Sequence, residues 1–171
     1  MEQINQNKVS AFEWYYCVII YVLANFLSFI VAGFNGNEAF YNNFLQPSVA
    51  PPDWLFPPMW FFLNVTSLIG LYKIMNGEEE TSFKKSIFRL EISGWVLYAI
   101  FTGLYFGLKS PILGAIDTVL GLIVIIIVCY KTYERTKTPF LFFLPRLLWL
   151  ILASYVSVWI AINNKDVFFN F

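Results

Sequence analysis

Apolar residues fill five stretches of the chain, and polar residues gather between them. The stretches cover residues 14–33, 54–75, 87–108, 111–130 and 139–162. A helix needs about 20 mainly apolar residues to cross the hydrocarbon core of a bilayer, and each stretch meets that length. The pattern predicts an all-α integral membrane protein, a bundle of five transmembrane helices forming a single domain over residues 1–171. Only Lys109 and Ser110 separate the third and fourth stretches, and Pro111 suits a first helical turn. These two helices are expected to form a tight antiparallel hairpin. Residues 34–53 are the only long connection. They are too aromatic and proline-rich for a disordered tether, so a structured loop between helices 1 and 2 is expected. No internal repeat stands out.

Composition agrees. The chain is 58% hydrophobic and 13% charged, where a soluble domain carries about 25% charged residues. Net charge is zero, so no basic surface argues for nucleic acid. Histidine is absent, which removes the commonest metal ligand and the usual general base. No catalytic or metal constellation is visible, and no cofactor is required. Cys17 and Cys129 sit inside apolar runs without CxxC spacing and read as packing thiols. The first ten or so residues are polar and lack a basic region followed by a cleavage site. The first stretch therefore reads as a retained span rather than a signal peptide.

Lys and Arg divide unevenly. Lys8, Lys73, Lys84, Lys85, Arg89, Lys131, Arg135, Lys137 and Arg146 fall on one side; Lys109 and Lys165 fall on the other. The positive-inside rule then puts the N-terminus in the cytoplasm and the 34–53 loop and C-terminus opposite. It does not name the membrane.

Ionisable groups at membrane depth are expensive and are candidates for function. Asp117 lies about two turns into the fourth span. It is either a pocket carboxylate or proton-relay group, or a side chain hydrogen-bonded to a neighbouring loop or helix. Glu91 and Arg146 lie within about two turns of the basic side. They either snorkel to headgroups separately or form an ion pair. Glu13 opens the first span and reads as interfacial. Small residues recur at four-residue spacing in Ala24, Ser28 and Ala32, and in Gly103 and Gly107. Such spacing lets helices approach closely. Packing within the chain and contact in a homodimer compete as its use. Gly114 and Gly121 add small residues to the fourth span.

Aromatic residues make up 20% of the chain, beyond what interfacial belts need. Trp14, Trp54 and Trp159 lie near span ends, whereas Trp60, Trp95 and Trp149 lie deeper. The most distinctive run is Pro51-Pro52-Asp53-Trp54-Leu55-Phe56-Pro57-Pro58-Met59-Trp60. Proline lacks an N–H and pushes its predecessor toward extended geometry. Pro51, Pro52, Pro57 and Pro58 should stiffen the junction between loop and second helix. Trp54 should sit at the interface, whereas Trp60, about two turns deeper, belongs either to core packing or to a ligand wall.

That run, with Tyr41, Gln46-Pro47-Ser48 before it and Gly70-Leu71-Tyr72 after it, resembles the first-loop and second-helix signature of the TspO/MBR family. Phe106-Gly107 with Asp117 ten residues on is a second match. Leu144-Pro145-Arg146-Leu147-Leu148-Trp149 with Ala153 is a third. The resemblance implies a five-helix bundle, often dimeric, with a pocket near one membrane face under the first loop. It implies flat hydrophobic ligands: porphyrins, haem-like tetrapyrroles, sterols and aromatic drugs. By position it marks Tyr41, Trp60, Asn64, Tyr98, Phe101, Trp149 and Ala153 as ligand-binding. The chain departs from the family pattern at Val49, Tyr98, Phe101, Arg146 and Ser157. These changes remove amide donors and add a phenol. The cholesterol-type arrangement is missing too, since Tyr155 has no Lys or Arg until Lys165.

The expected function is binding of a tetrapyrrole-like or other flat hydrophobic ligand beneath the 34–53 loop, in sensing, transport or turnover. Trp60 and Trp149 are the expected walls, and Tyr41 and Tyr98 the polar anchors. Light-dependent porphyrin degradation and transport of a small hydrophobic molecule are the alternatives. The lipid bilayer and the ligand are the expected partners.

Overall fold

The computed structural model describes residues 12–32 and 43–170. Among the described residues, five helices are long and apolar enough to cross a membrane. They are α1 (Trp14–Ala32), α2 (Phe56–Met75), α3 (Thr81–Thr102), α4 (Pro111–Arg135) and α5 (Lys137–Asn163). At 1.5 Å per residue they run about 28–40 Å. Around the bundle the packing order is α1, α3, α4, α5, α2, with a thinner contact between α2 and α1.

Three helix boundaries lie beyond the apolar stretches. α3 begins at Thr81 rather than near 87. α4 continues to Arg135, and α5 begins at Lys137, so Thr136 alone joins them. Hydropathy falls where charged residues begin, but Lys, Arg and Glu are good helix formers. Backbone hydrogen bonding therefore carries these helices past the apolar limit.

The hairpin between α3 and α4 is as short as expected. α3 ends in one π-helical turn, Gly103–Gly107. Lys109 then takes a left-handed conformation with φ 53°. Ser110 caps α4 by accepting from the Leu113 N–H at 3.1 Å. Gly103 explains its own residue type: a Cβ there would stand 3.0 Å from the Val31 carbonyl and side chain. This glycine is used for close approach of α3 to α1 within the chain. Ser28 and Thr102 hydrogen-bond across the same contact at 3.0 Å.

The two ends of the bundle are built differently. At the basic end an apolar core joins Leu71, Ile74, Ile87, Ile125, Val128 and Phe143. Gly70 belongs to it, since a Cβ there would lie 2.9 Å from the buried Phe143 ring. At the other end, which carries residues 43–55, the helices enclose a cavity.

Candidate ligand cavity

The cavity entrance is made by the proline run. Pro52 precedes a 3₁₀ turn, Asp53–Leu55. Pro57 and Pro58 then occupy the first turn of α2, where no N–H is needed. The Trp54 N–H is held by Asp53 Oδ1 at 2.7 Å. Pro51, Trp54 and Pro57 line the entrance. Trp54 is 69% exposed and also lines the cavity. Pro52 and Pro58 stiffen the same segment from outside the cavity.

The cavity volume is about 640 Å³, and all five helices contribute to its walls. Ligand pockets for small molecules typically span about 300–1,000 Å³. Of the sequence-marked residues, Trp60, Asn64, Tyr98, Phe101, Trp149 and Ala153 line it; Tyr41 lies outside the described residues. Trp60 and Tyr98 touch at 5.2 Å between ring centroids, and Phe56 meets Trp149 edge-on at 5.7 Å. Phe101 stacks on Tyr105 at 5.5 Å. Four of the five departures from the family pattern, Tyr98, Phe101, Arg146 and Ser157, face this cavity, whereas Val49 does not.

Polar groups are few and placed. The Tyr98 hydroxyl donates to Asn25 Oδ1 at 2.8 Å. Arg146 and Glu91 form a buried ion pair through Nη2 and Oε1. This decides between pairing and snorkelling: Glu91 is 0% and Arg146 6% exposed. Arg146 lines the cavity, with Glu91 behind it. Asp117 also lines the cavity, but its Oδ1 has no hydrogen-bond partner among the described residues. The bond to a neighbouring loop or helix is missing for that oxygen among the described residues. The indole N–H groups of Trp95 and Trp149 are likewise buried without acceptors.

Several lining residues lie beyond the sequence-marked set: Tyr21, Asn25 and Ser28 on α1, and Trp95, Thr102 and Tyr105 on α3. A signal existed for some. Asn25 and Ser28 are polar, three apart, in an otherwise apolar span, and such groups turn inward. Trp95, Tyr98, Thr102 and Tyr105 follow helical spacing down one face.

Residues 43–50, part of the expected lid, are anchored at the loop end. Leu45 donates its N–H to Asn164 Oδ1 at 2.7 Å and accepts from Asn164 Nδ2 at 3.0 Å. Asp166 follows. Its Oδ2 accepts from the Ser110 hydroxyl at 2.6 Å and the Ile112 N–H at 3.0 Å. Burial pushes this carboxyl up, but hydrogen bonds from Ser110 and from the Phe169, Ile112 and Phe168 N–H groups outweigh that. The net result is a value below the ordinary 3.8.

Fold and site together define a multi-pass helical membrane protein built around an internal aromatic cavity with a proline-stiffened entrance. The chain belongs to the TspO/MBR family, whose model matches residues 17–162. Relatives include a tryptophan-rich protein TspO of Chlorobaculum tepidum, 33% identical over 125 residues (69% of this chain and 75% of the relative). The protein of the same name from Archaeoglobus fulgidus is 30% identical over 154 residues, 85% of this chain and 98% of the relative. Protein CrtK of Rhodobacter capsulatus is 24% identical over 127 residues, 71% and 77% of the two chains.

Proposed function

We propose that the cavity holds a flat hydrophobic ligand of the tetrapyrrole class, bound for sensing, transport or turnover. The observation that supports this most is the wall itself. Trp60, Tyr98, Phe101 and Trp149 converge on one space of about 640 Å³ with a mainly apolar lining. Aromatic faces stack on a macrocycle, and isolated donors orient its polar substituents. In the same reading the N-terminus faces the cytoplasm, because the loops at the opposite end from the lid carry most Lys and Arg.

Titration of the purified protein in detergent with protoporphyrin, followed by tryptophan quenching, tests the reading. Saturable quenching that weakens when Trp60 and Trp149 are both replaced by alanine supports it. Quenching that never saturates, or that ignores the double replacement, removes it.

A further inference from the structure

We infer that the deep end of the cavity is a receptor for a carboxyl group of the ligand, in which Arg146 takes the carboxylate and Glu91 carries its proton. The inference rests on the proposed ligand cavity and specifies one chemical feature of what enters it.

Four side chains meet at this end. Trp149 follows Arg146 by three residues on α5, and Trp95 follows Glu91 by four on α3. Both spacings place the indole on the same helix face as its ionic neighbour, one turn nearer the lid. Arg146, Trp95 and Trp149 all line the cavity. Trp95 is 4% and Trp149 7% exposed, and neither indole N–H has an acceptor among the described residues. The guanidinium fork carries five N–H donors, and the ion pair with Glu91 engages Nη2. Gly94 leaves space beside the fork, since a Cβ there would lie 3.9 Å from Nη1. Of the ion pair it is therefore the cation, Arg146, that faces the cavity. A carboxylate is the ligand group that fits a planar fork best.

The ion pair is also incomplete on its acidic side. Glu91 Oε2 is buried without a hydrogen-bond partner among the described residues. A purely structural buried pair is stable when its remaining lone pairs are satisfied; this one leaves an oxygen bare.

Charge arithmetic links the two facts. Arg146 and Glu91 together are neutral. Adding a ligand carboxylate would bring a net negative charge into a low-dielectric site, at high cost. One proton removes that cost. The ligand acid breaks its O–H bond and keeps the electron pair on its own oxygen. The proton forms a new O–H bond on Glu91, and Arg146 exchanges one carboxylate for another. The site is neutral before and after. A ligand that begins as an anion in water takes up one proton from solution for the same result. The other ionisable groups near the pair are few. Cys129 on α4 lies within electrostatic reach of both members. Asp117 on α4, Tyr98 on α3, Tyr21 on α1 and Asp53 at the entrance line the same cavity.

Protoporphyrin and its dimethyl ester form a matched pair of probes, since the ester has the same ring but neither charge nor acidic proton. With the unmodified protein in detergent, the free acid is expected to bind about tenfold tighter or more, the range for a hydrogen bond to a charged group. Calorimetry in two buffers of different ionisation enthalpy is expected to show uptake of about one proton per acid bound, and none for the ester. Glu91→Gln should keep acid binding and abolish the uptake. Arg146→Gln should bring acid and ester together.

Equal affinities for acid and ester would overturn the inference while leaving the cavity reading intact. Proton uptake that persists in Glu91→Gln would overturn it as well, because the ligand would then be holding its own proton. If neither probe binds, the cavity reading fails and this inference fails with it.

Discussion

Asn164 grips Leu45 by both of its backbone polar groups, 119 residues away in sequence. The same arrangement recurs at the other end of the bundle. Asn76 accepts from the Phe12 N–H at 3.1 Å and donates to its carbonyl at 2.8 Å. Each asparagine stands at the C-terminal end of a helix, where carbonyls lack partners. Each also donates back to its own helix, Asn76 to the Tyr72 carbonyl and Asn164 to that of Ile160. A single side chain thus finishes a helix and ties down a separate segment. At Asn164 the segment tied down belongs to the expected lid.

Asn164→Ala should free the lid without unfolding the bundle. It removes two hydrogen bonds to Leu45, each worth about 1 kcal/mol net. Limited proteolysis with a broad-specificity protease should cut faster within residues 43–50. Bound porphyrin should exchange faster in stopped-flow dilution. Unchanged cleavage and exchange would show that the Pro51–Pro58 segment alone holds the lid.

Gly70→Ala should destabilise the basic end. Its Cβ would lie 2.9 Å from the fully buried ring of Phe143 and 3.1 Å from the Phe142 Cβ. Overpacking of this kind costs about 1–3 kcal/mol. Thermal unfolding in detergent should show the loss, and Phe143→Leu in the same chain should recover part of it. A variant as stable as the parent would mean that the ring moves aside at little cost.

Breaking the Arg146–Glu91 pair from one side should cost more than removing both members. Glu91→Ala leaves a buried guanidinium uncompensated, at about 3–5 kcal/mol, whereas paired apolar replacement of buried ions is often neutral or stabilising. Thermal melts of Glu91→Ala, Arg146→Leu and a Glu91→Leu/Arg146→Leu double variant form the comparison. A double variant as damaged as the sum of the singles would show that the two groups act independently.

Asp166 should make the loop end sensitive to acid. Its carboxyl titrates below the ordinary 3.8 in the folded protein. The unfolded chain therefore binds its proton first as pH falls. The stabilisation is fully present above about pH 4 and is lost as pH drops through the lowered value. Asp166→Asn should lower the melting temperature near neutrality and flatten its decline below about pH 4. A variant with the parent's acid slope would assign that decline to other carboxylates.

The fold was legible because its cause is local. Each span is an unbroken apolar run of bilayer length, and Pro111 and the 51–58 run mark where helices begin. The candidate wall was legible in part. Trp60 and Trp149 stand out as aromatic residues well inside their spans. Asn25 carried a signal too, a polar side chain in an apolar span, while Ser28 reads first as a small packing residue. The fate of Glu91 and Arg146 was not legible, because they lie 55 residues apart and each alone is equally consistent with snorkelling.

The amino-acid sequence by itself determined the five spans, the short hairpin at Lys109-Ser110 and the stiff entrance to α2. Those features follow from hydropathy over consecutive residues and from the covalent geometry of proline. Only the tertiary structure decided which face of each span turns inward. A helix that is apolar nearly all round carries no stripe to mark its buried side. Packing between helices therefore set Gly70 against Phe143 and closed Asn164 on Leu45. It also brought Glu91 to Arg146 at the deep end of the cavity and left one oxygen of Asp117 without a partner among the described residues.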